Sequence, residues 1–590
     1  MFFKKLGLLA LLFLGFHLSA APIKHYIQMP FPHSHYFEVT TTVDVSQEKG
    51  KFIDLKMASW TPGSYLIREF AKNVEQISAL SGNVDLPISK ISKNSWRVSF
   101  QPGTKTVQVN YQVYAFELSV RTSFLDDVHG YINPASVLLY VDKFSKQPHE
   151  ISIVPYKDFK KVSTALKNVG GFNYVAKDLD ELIDSPIEIG NHQVWNFKVN
   201  NIPHQIAFFG QAKVDSLKFI ADVTKMAETA QQVVGQHPCD HYVFIIHNIQ
   251  RGTGGLEHLY STTCSVSRSA YETPGGYQGV MNLLAHEYFH LWNVKRIRPI
   301  ALGPFDYENE NYTHNLWFSE GITSYYADLI NLRTKMVSAD SYLNDLGKEI
   351  SAVENTPGAH VESAASSSWD AWIKYYRPNE NSRNSTVSYY DKGALLGGIL
   401  NMWIIQHTSG AKSLDDVFKL LYTAYYLKLG RGFTDAELEN AFTTVAGTSA
   451  AGFFKDHIYG VKSPDYAGIF AKFGYTWTDV NQGKSIPFVG LSVANNRVTS
   501  IYKAGPAYLA GLNVGDEIVQ VNQADFTGLD KVMADKKVGD LLTIKVKRDG
   551  LERTFELKVL QTPMKAYEVQ PIASPNDSQL NLRKKWLALN

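Results

Sequence analysis

Between about residues 24 and 210, hydrophobic and polar positions alternate with period two. Thr106-Val107-Gln108-Val109-Asn110-Tyr111-Gln112-Val113 is the clearest run, and alternation of this kind buries one face of a β-strand. Phe37-Glu38-Val39-Thr40 and Trp96-Arg97-Val98-Ser99-Phe100 repeat it. Pro62-Gly63 and Pro102-Gly103 punctuate the runs as turns. The pattern predicts a β-rich domain, built as a sandwich or a curved sheet.

From about residue 215 the period lengthens. Helices are expected over 217–236, 278–296, 316–336 and 390–407, the second stopped before Pro299. In the last of these, Leu395, Leu396, Ile399, Leu400, Trp403 and Ile404 fall on one stripe. Ser413-x-x-Asp416 and Thr434-x-x-Glu437 have capping-box spacing and predict two further helix starts. From about 485 the pattern is β again. Asp549-Gly550 between the apolar-alternating segments 542–546 and 554–559 predicts a hairpin with a type I′ turn. Residues beyond Gln561 read as a tail from position and composition.

The chain has 590 residues, with 44% hydrophobic and 19% charged. A soft prior of ~150 residues per domain gives about four domains, and the composition excludes a disordered or fibrous chain. Lys plus Arg number 58 and Asp plus Glu 57. That balance argues against a protein held to nucleic acid through phosphate contacts. Two cysteines, Cys239 and Cys264, cannot build a disulfide framework or a four-thiolate metal site. Whether they pair with each other is open.

The N-terminus reads as an export signal over residues 1–21. Lys4 and Lys5 precede an apolar run over 6–16, and Ser19-Ala20-Ala21 offers small residues for cleavage. The run falls short of the ~20 apolar residues that span a bilayer, and no later stretch is apolar enough for a membrane helix. The expectation is an exported protein, periplasmic or secreted.

The strongest chemical signal is His286-Glu287-Tyr288-Phe289-His290. Histidines at i and i+4 share one helical face and can grip one Zn²⁺, while the intervening Glu lies where it can take a proton from water. Zinc needs a third protein ligand. Glu320, in Leu316-Trp317-Phe318-Ser319-Glu320-Gly321, is the best candidate, because a carboxylate on so aromatic a helix is costly to bury without a partner. Asp306, Glu308 and Glu310 lie between, on a polar segment that reads as exposed.

These residues resemble the glycyl-aminopeptidase family of zinc metallopeptidases. The match is carried by Trp60-Thr61-Pro62-Gly63-Ser64-Tyr65, Gly254-Gly255-Leu256-Glu257-His258, the His286 motif with Trp292-Asn293, and 317–321. More distantly the catalytic part is similar to the aminopeptidase N family, whose third ligand follows the His pair more closely. The resemblance implies a multidomain α+β chain: a β-rich N-terminal domain over 22–212, a mostly α, thermolysin-like peptidase domain over 213–478, and a PDZ domain over 479–565, before a tail over 566–590. It also implies that Glu257 binds the substrate's α-amine, and that Tyr390, in Tyr389-Tyr390-Asp391-Lys392-Gly393, donates to the oxyanion. Ser324 stands where related sites place a carboxylate that orients a histidine, which leaves the orienting group unknown.

Val489-Gly490-Leu491 with Ala504-Gly505-Pro506-Ala507, Gly515-Asp516-Glu517-Ile518 and Val521-Asn522 resembles a PDZ domain. Val489, Gly490 and Leu491 would then capture a C-terminal peptide. The functional expectation is an exported aminopeptidase with one Zn²⁺ per chain, releasing Gly or Ala from peptides. The alternatives are a zinc endopeptidase, an inactive peptidase-fold adaptor or chaperone, and a hydrolase of non-peptide substrates on the same site.

Overall fold

The computed structural model describes residues 23–588. The expected export signal lies outside these residues. Period-two alternation in the N-terminal part produces an eight-stranded sheet, accompanied by three- and four-stranded sheets. Strands Tyr36–Asp44 and Thr106–Tyr114 pair antiparallel, with Phe37 opposite Val113 and Val39 opposite Tyr111. Their inward residues are buried and their outward residues partly exposed, so the register follows from which face must leave water.

The next sheet departs from expectation. Strands β1 (Gln193–Val199), β2 (Ile202–Phe209), β3 (Tyr242–Ile249), β4 (Thr253–Glu257) and β5 (Ser261–Ser267) form one sheet in the order β1-β2-β3-β5-β4. β1 and β2 precede the expected boundary at 212, yet β2 pairs in parallel with β3. The structural division therefore falls near residue 190, and the catalytic part opens as a sheet before turning helical. β3 is buried on both faces, so it reads as a continuous apolar run with no alternation to detect.

The helices follow: α1 (Ser216–Val234), α2 (Pro274–Phe289), α3 (Ile322–Arg333) and α4 (Tyr389–His407). α2 stops seven residues earlier than the periodicity predicts, 289 against 296. The His290 ring draws the Asn293 carbonyl to its Nδ1 at 2.6 Å, and the Asn293 amide donates to the Phe318 and Ser319 carbonyls. These bonds turn the chain out of helix. Both anticipated capping boxes form, at Ser413 and Thr434. The start of α4 meets the segment before α3 at backbone contact, because a Cβ on Gly321 would overlap the Gly393 backbone.

The N-terminal and catalytic parts are joined through buried polar contacts. Glu188 accepts from His129 Nδ1 at 2.9 Å and from His247 Nε2 at 2.8 Å. Tyr131 donates to Thr263 at 2.9 Å. Each histidine takes a different carboxylate oxygen, which is hydrogen-bond geometry and ties β3 to the N-terminal domain. Cys264 on β5 and Cys239 before β3 are separate thiols.

The C-terminal module is a six-stranded sheet. Asp549 and Gly550, at φ 51° and 77°, make the two-residue turn between strands Leu541–Arg548 and Leu551–Lys558, as a type I′ turn requires. The expected tail is ordered structure instead. Strand Tyr567–Pro571 returns to pair with Tyr475–Asp479, bracketing the module, and α5 (Asp577–Leu587) follows. Trp586, 1% exposed, packs against Tyr342, Phe473 and Tyr475. The helix buries only Leu582, Trp586 and Leu587, too few apolar positions to give a periodic signal. Among the described residues no helix is long and apolar enough to cross a membrane. Trp586→Ala is expected to cost about 3–5 kcal/mol, as for a buried aromatic truncated in a packed core; chemical denaturation of the catalytic part measures it.

Candidate active site

Helical spacing organises one wall of the site. Gly279, Asn282, Leu283, His286, Glu287 and His290 all line a single cavity of about 370 Å³, each three or four residues from the next along α2 apart from the adjacent pairs. His286 and His290 bring their Nε2 atoms to 3.0 Å. Glu320 comes from a single π-helical turn, Trp317–Gly321, that leads into α3; turns of this kind recur at functional sites. Its Oε2 lies 3.5 Å from His286 Nε2 and 3.2 Å from His290 Nε2. The three expected ligands thus converge.

Both imidazoles are held in the tautomer that frees Nε2. The Asn293 carbonyl can only accept, so His290 Nδ1 carries the proton. Ser324 donates its hydroxyl to the Glu320 carbonyl at 3.1 Å and so accepts from His286 Nδ1 at 3.3 Å. Here a hydroxyl and a backbone carbonyl take the orienting role often given to a carboxylate. Asn293 was visible in sequence only as part of a motif; its carbonyl acts through a turn that no local pattern encodes.

The opposite wall is strand β4. Period two puts Thr253, Gly255 and Glu257 on its cavity face. Gly255 is required: a Cβ there would overlap the Glu287 carboxylate. Glu257, 4% exposed, is covered from the N-terminal domain by Gly63. That residue has φ +89°, and a Cβ on it would stand 2.5 Å from Glu257 Oε2. The Trp60 to Tyr65 segment therefore reaches into the catalytic part, anchored by Trp60 Nε1 donating to the Asp306 carbonyl at 2.8 Å. Glu308, read as exposed from the sequence, is instead half-buried and ion-paired with Lys56.

Tyr390 completes the site from the first turn of α4. Its ring stacks on His286 with centroids 6.2 Å apart, whereas Tyr389 turns into the core. Burial, and then the Glu320 charge, hold the Tyr390 phenol well above its usual range, so it stays protonated and can donate. Tyr375, Tyr376 and Arg121 also line the cavity; sequence reasoning found none of them.

The cavity is electrostatically unbalanced. Glu257, Glu287 and Glu320 are all buried, and each has at least one buried carboxylate oxygen without a hydrogen-bond partner. Burial above all, with the charges of Glu257 and Glu320, pushes Glu287 up to about 8 despite His290. Burial would lower His290, but the charges of Glu320 and Glu257 outweigh it and raise it to about 9. The His290 shift and the smaller part of the Glu287 shift come from the same crowding of carboxylates. A divalent cation at the Nε2 atoms and Glu320 fits that crowding and the donor set, two imidazoles and one carboxylate.

Val489, Gly490 and Leu491 lie far in sequence from this centre, in the C-terminal module. The Val489 carbonyl accepts from Ala507 and the Gly490 carbonyl from Tyr502. Leu491 begins the strand Leu491–Ala494 at one end of the sheet.

Replacing Gly255 by Ala is expected to displace the Glu287 carboxylate while leaving the fold and the His pair in place. Turnover should fall about a hundredfold, the scale for a small misplacement of a reacting group, with metal content unchanged. Steady-state kinetics beside elemental analysis tests this, and wild-type turnover would contradict the placement of β4 against Glu287.

Comparison with known proteins bears on these features. Residues 24–191 match the peptidase M61 N-terminal domain, 279–396 the M61 glycyl aminopeptidase family, and 483–559 a PDZ domain. Comparison with curated proteins gave no match. Among solved structures, an aminopeptidase N family protein from Idiomarina loihiensis is similar at 30% identity and TM-score 0.89. The similarity covers 96% of this chain and 100% of that one. An M1 zinc metallopeptidase from Deinococcus radiodurans is similar at 12% identity and TM-score 0.48, over 76% of this chain and 95% of that one. With a structural relative at this identity over nearly its whole length, and family matches on all three parts, the chain belongs to the M61 glycyl aminopeptidase family and is a metallopeptidase.

Proposed function

We propose that this metallopeptidase is a zinc-dependent aminopeptidase that removes small N-terminal residues, Gly and Ala first, from peptides. The observation that carries the reading is the buried Glu257. It faces the same cavity as His286, Glu287, His290 and Glu320 and has no positive partner among the described residues. A buried carboxylate at that position is a receptor for an ammonium group. The preference for Gly is supported by the description of the matched family, and Ala is the next smallest side chain.

His286, His290 and Glu320 would hold one Zn²⁺ per chain. When bound, the ion supplies Lewis acidity to a carbonyl oxygen and to water. The chain does the rest. Glu257, under the Gly63 backbone, accepts hydrogen bonds from the substrate's α-ammonium and so sets which peptide bond faces Glu287. Glu287 takes a proton from the attacking water on its carboxylate and passes it to the leaving amine nitrogen. The Tyr390 hydroxyl donates to the oxyanion as charge develops there. Ser324 and the Asn293 carbonyl keep both rings turned, so that no reorientation is needed during the reaction.

The PDZ domain would bind an extended peptide along Leu491–Ala494, with Val489, Gly490 and Leu491 at its C-terminus. The position of this strand at the end of its sheet supports strand addition. Export is supported by the order of Lys4 and Lys5, the apolar run over 6–16 and Ser19-Ala20-Ala21; the mature chain would start near Ala21 or Pro22.

The test is metal analysis together with release of Gly or Ala from short peptides bearing free or acetylated N-termini. Free peptides should be cleaved and acetylated ones spared. Equal cleavage of both would replace this reading by an endopeptidase. Glu287→Gln should keep its zinc and lose roughly 10²–10⁴ in turnover, the usual share of a general base. The His286→Ala,His290→Ala double variant should lose the metal.

A further inference from the structure

The cavity contains a cation that the reaction scheme above does not use. Arg121 sits on a turn of the N-terminal domain, half-buried, and lines the cavity together with Glu287 and Tyr376; its charge acts on both. Its Nε is buried without a hydrogen-bond partner, and so is that of neighbouring Arg68. Among the described residues neither guanidinium has a carboxylate within ion-pair distance, although the ion pairs formed elsewhere include those of Arg97, Arg333, Arg431, Arg497 and Arg548. Burial, and then the like charge of Arg121, lower the Arg68 guanidinium.

The turn that carries Arg121 is built to hold it in place. The Arg121 N–H donates to Ser119 Oγ at 3.2 Å, and its carbonyl accepts from Asn133 Nδ2 at 3.2 Å. Asn133 is fully buried and its Nδ2 also reaches Thr61 Oγ1 at 3.4 Å, in the segment that places Gly63 over Glu257. The amine receptor and Arg121 are therefore fixed by one piece of the N-terminal domain. The carboxylates that act on the pair, Glu117 on Arg68 and Glu287 on Arg121, do so from beyond ion-pair distance, and a planar guanidinium with free donors is the usual partner of a carboxylate.

We infer that Arg121, supported by Arg68, binds the free C-terminal carboxylate of the substrate, so that the enzyme is selective for peptides short enough to lie within this cavity of about 370 Å³. This rests on the aminopeptidase reading. Glu257 takes the ammonium end and Arg121 the carboxylate end of one zwitterionic peptide within the same cavity. An extended peptide gains about 3.5 Å per residue, so the separation of the two receptors sets the length that satisfies both. Arg121 is a binding residue and moves no proton.

The test uses the full-length metal-loaded enzyme and alanine peptides of two to five residues, each as the free acid and the C-terminal amide. For the di- or tripeptide, kcat/KM of the acid should exceed that of the amide at least about tenfold, the scale of one charge-assisted pair. The preference should fade by the pentapeptide. In Arg121→Gln the ratio of acid to amide should collapse to about one, mainly through KM, because uniform binding has been removed. Arg121→Lys should keep part of it. Wild-type enzyme that cleaves acid and amide equally at every length would overturn the inference, as would an Arg121→Gln enzyme that retains the full ratio. If Arg121→Gln does not fold, the wild-type ratio and Arg121→Lys decide. Acetylated peptides in the same series report on Glu257 separately: their cleavage would fail the aminopeptidase reading, while the acid-to-amide ratio still reports on Arg121.

Discussion

Three carboxylates, Glu257, Glu287 and Glu320, are buried around one cavity with two imidazoles and a single guanidinium. Burying charge of one sign is expensive, and the cost falls when a carboxyl takes up a proton or when positive charge is brought in. The raised positions of Glu287 and His290 register that cost. A divalent ion offsets part of it and a substrate ammonium another part. The same deficit that makes the site unstable by itself makes it receptive to both.

Holding such a site open requires close approach without side-chain bulk. Gly255 lets strand β4 pass against Glu287, and Gly321 against Gly393 lets α4 bring Tyr390 up to the ligands. Around this, polar contacts tie the ligands to one another. Asn293 alone joins the ring of His290 to the turn that carries Glu320 and to Thr323. The large aromatic core behind, with Tyr288, Phe289, Trp292 and Trp317 almost wholly buried, gives these contacts a stiff backing.

The N-terminal domain is part of the site. Gly63 covers Glu257, Arg121 lines the cavity, and Tyr376 from the catalytic part donates to the Gly63 carbonyl at 3.5 Å. The buried His129–Glu188–His247 bridge holds the domains in that relation. Such a bridge contributes little net stability over an apolar contact, but it is strongly directional, and direction is what a site shared by two domains needs.

The sequence by itself determined whatever lies within one element. The i, i+4 histidines, the alternating strands of the N-terminal domain, the Asp549-Gly550 turn and the capped helix starts all depend on neighbours a few residues apart, where periodicity and turn chemistry operate. Glu320 was legible because a charge in an aromatic helix demands a partner, and Glu257 and Tyr390 through likeness to a family. The rest was decided by tertiary structure. The sheet strand β3 is buried on both faces and shows no alternation. The C-terminal strand and α5 carry too few apolar residues to reveal the groove that Trp586 fills. Ser324 was singled out by position but not by role, and Arg121 has no local signal at all: an unpaired charge or a hydroxyl acquires its role only from what folding places opposite it, and one-dimensional spacing contains no measure of that distance.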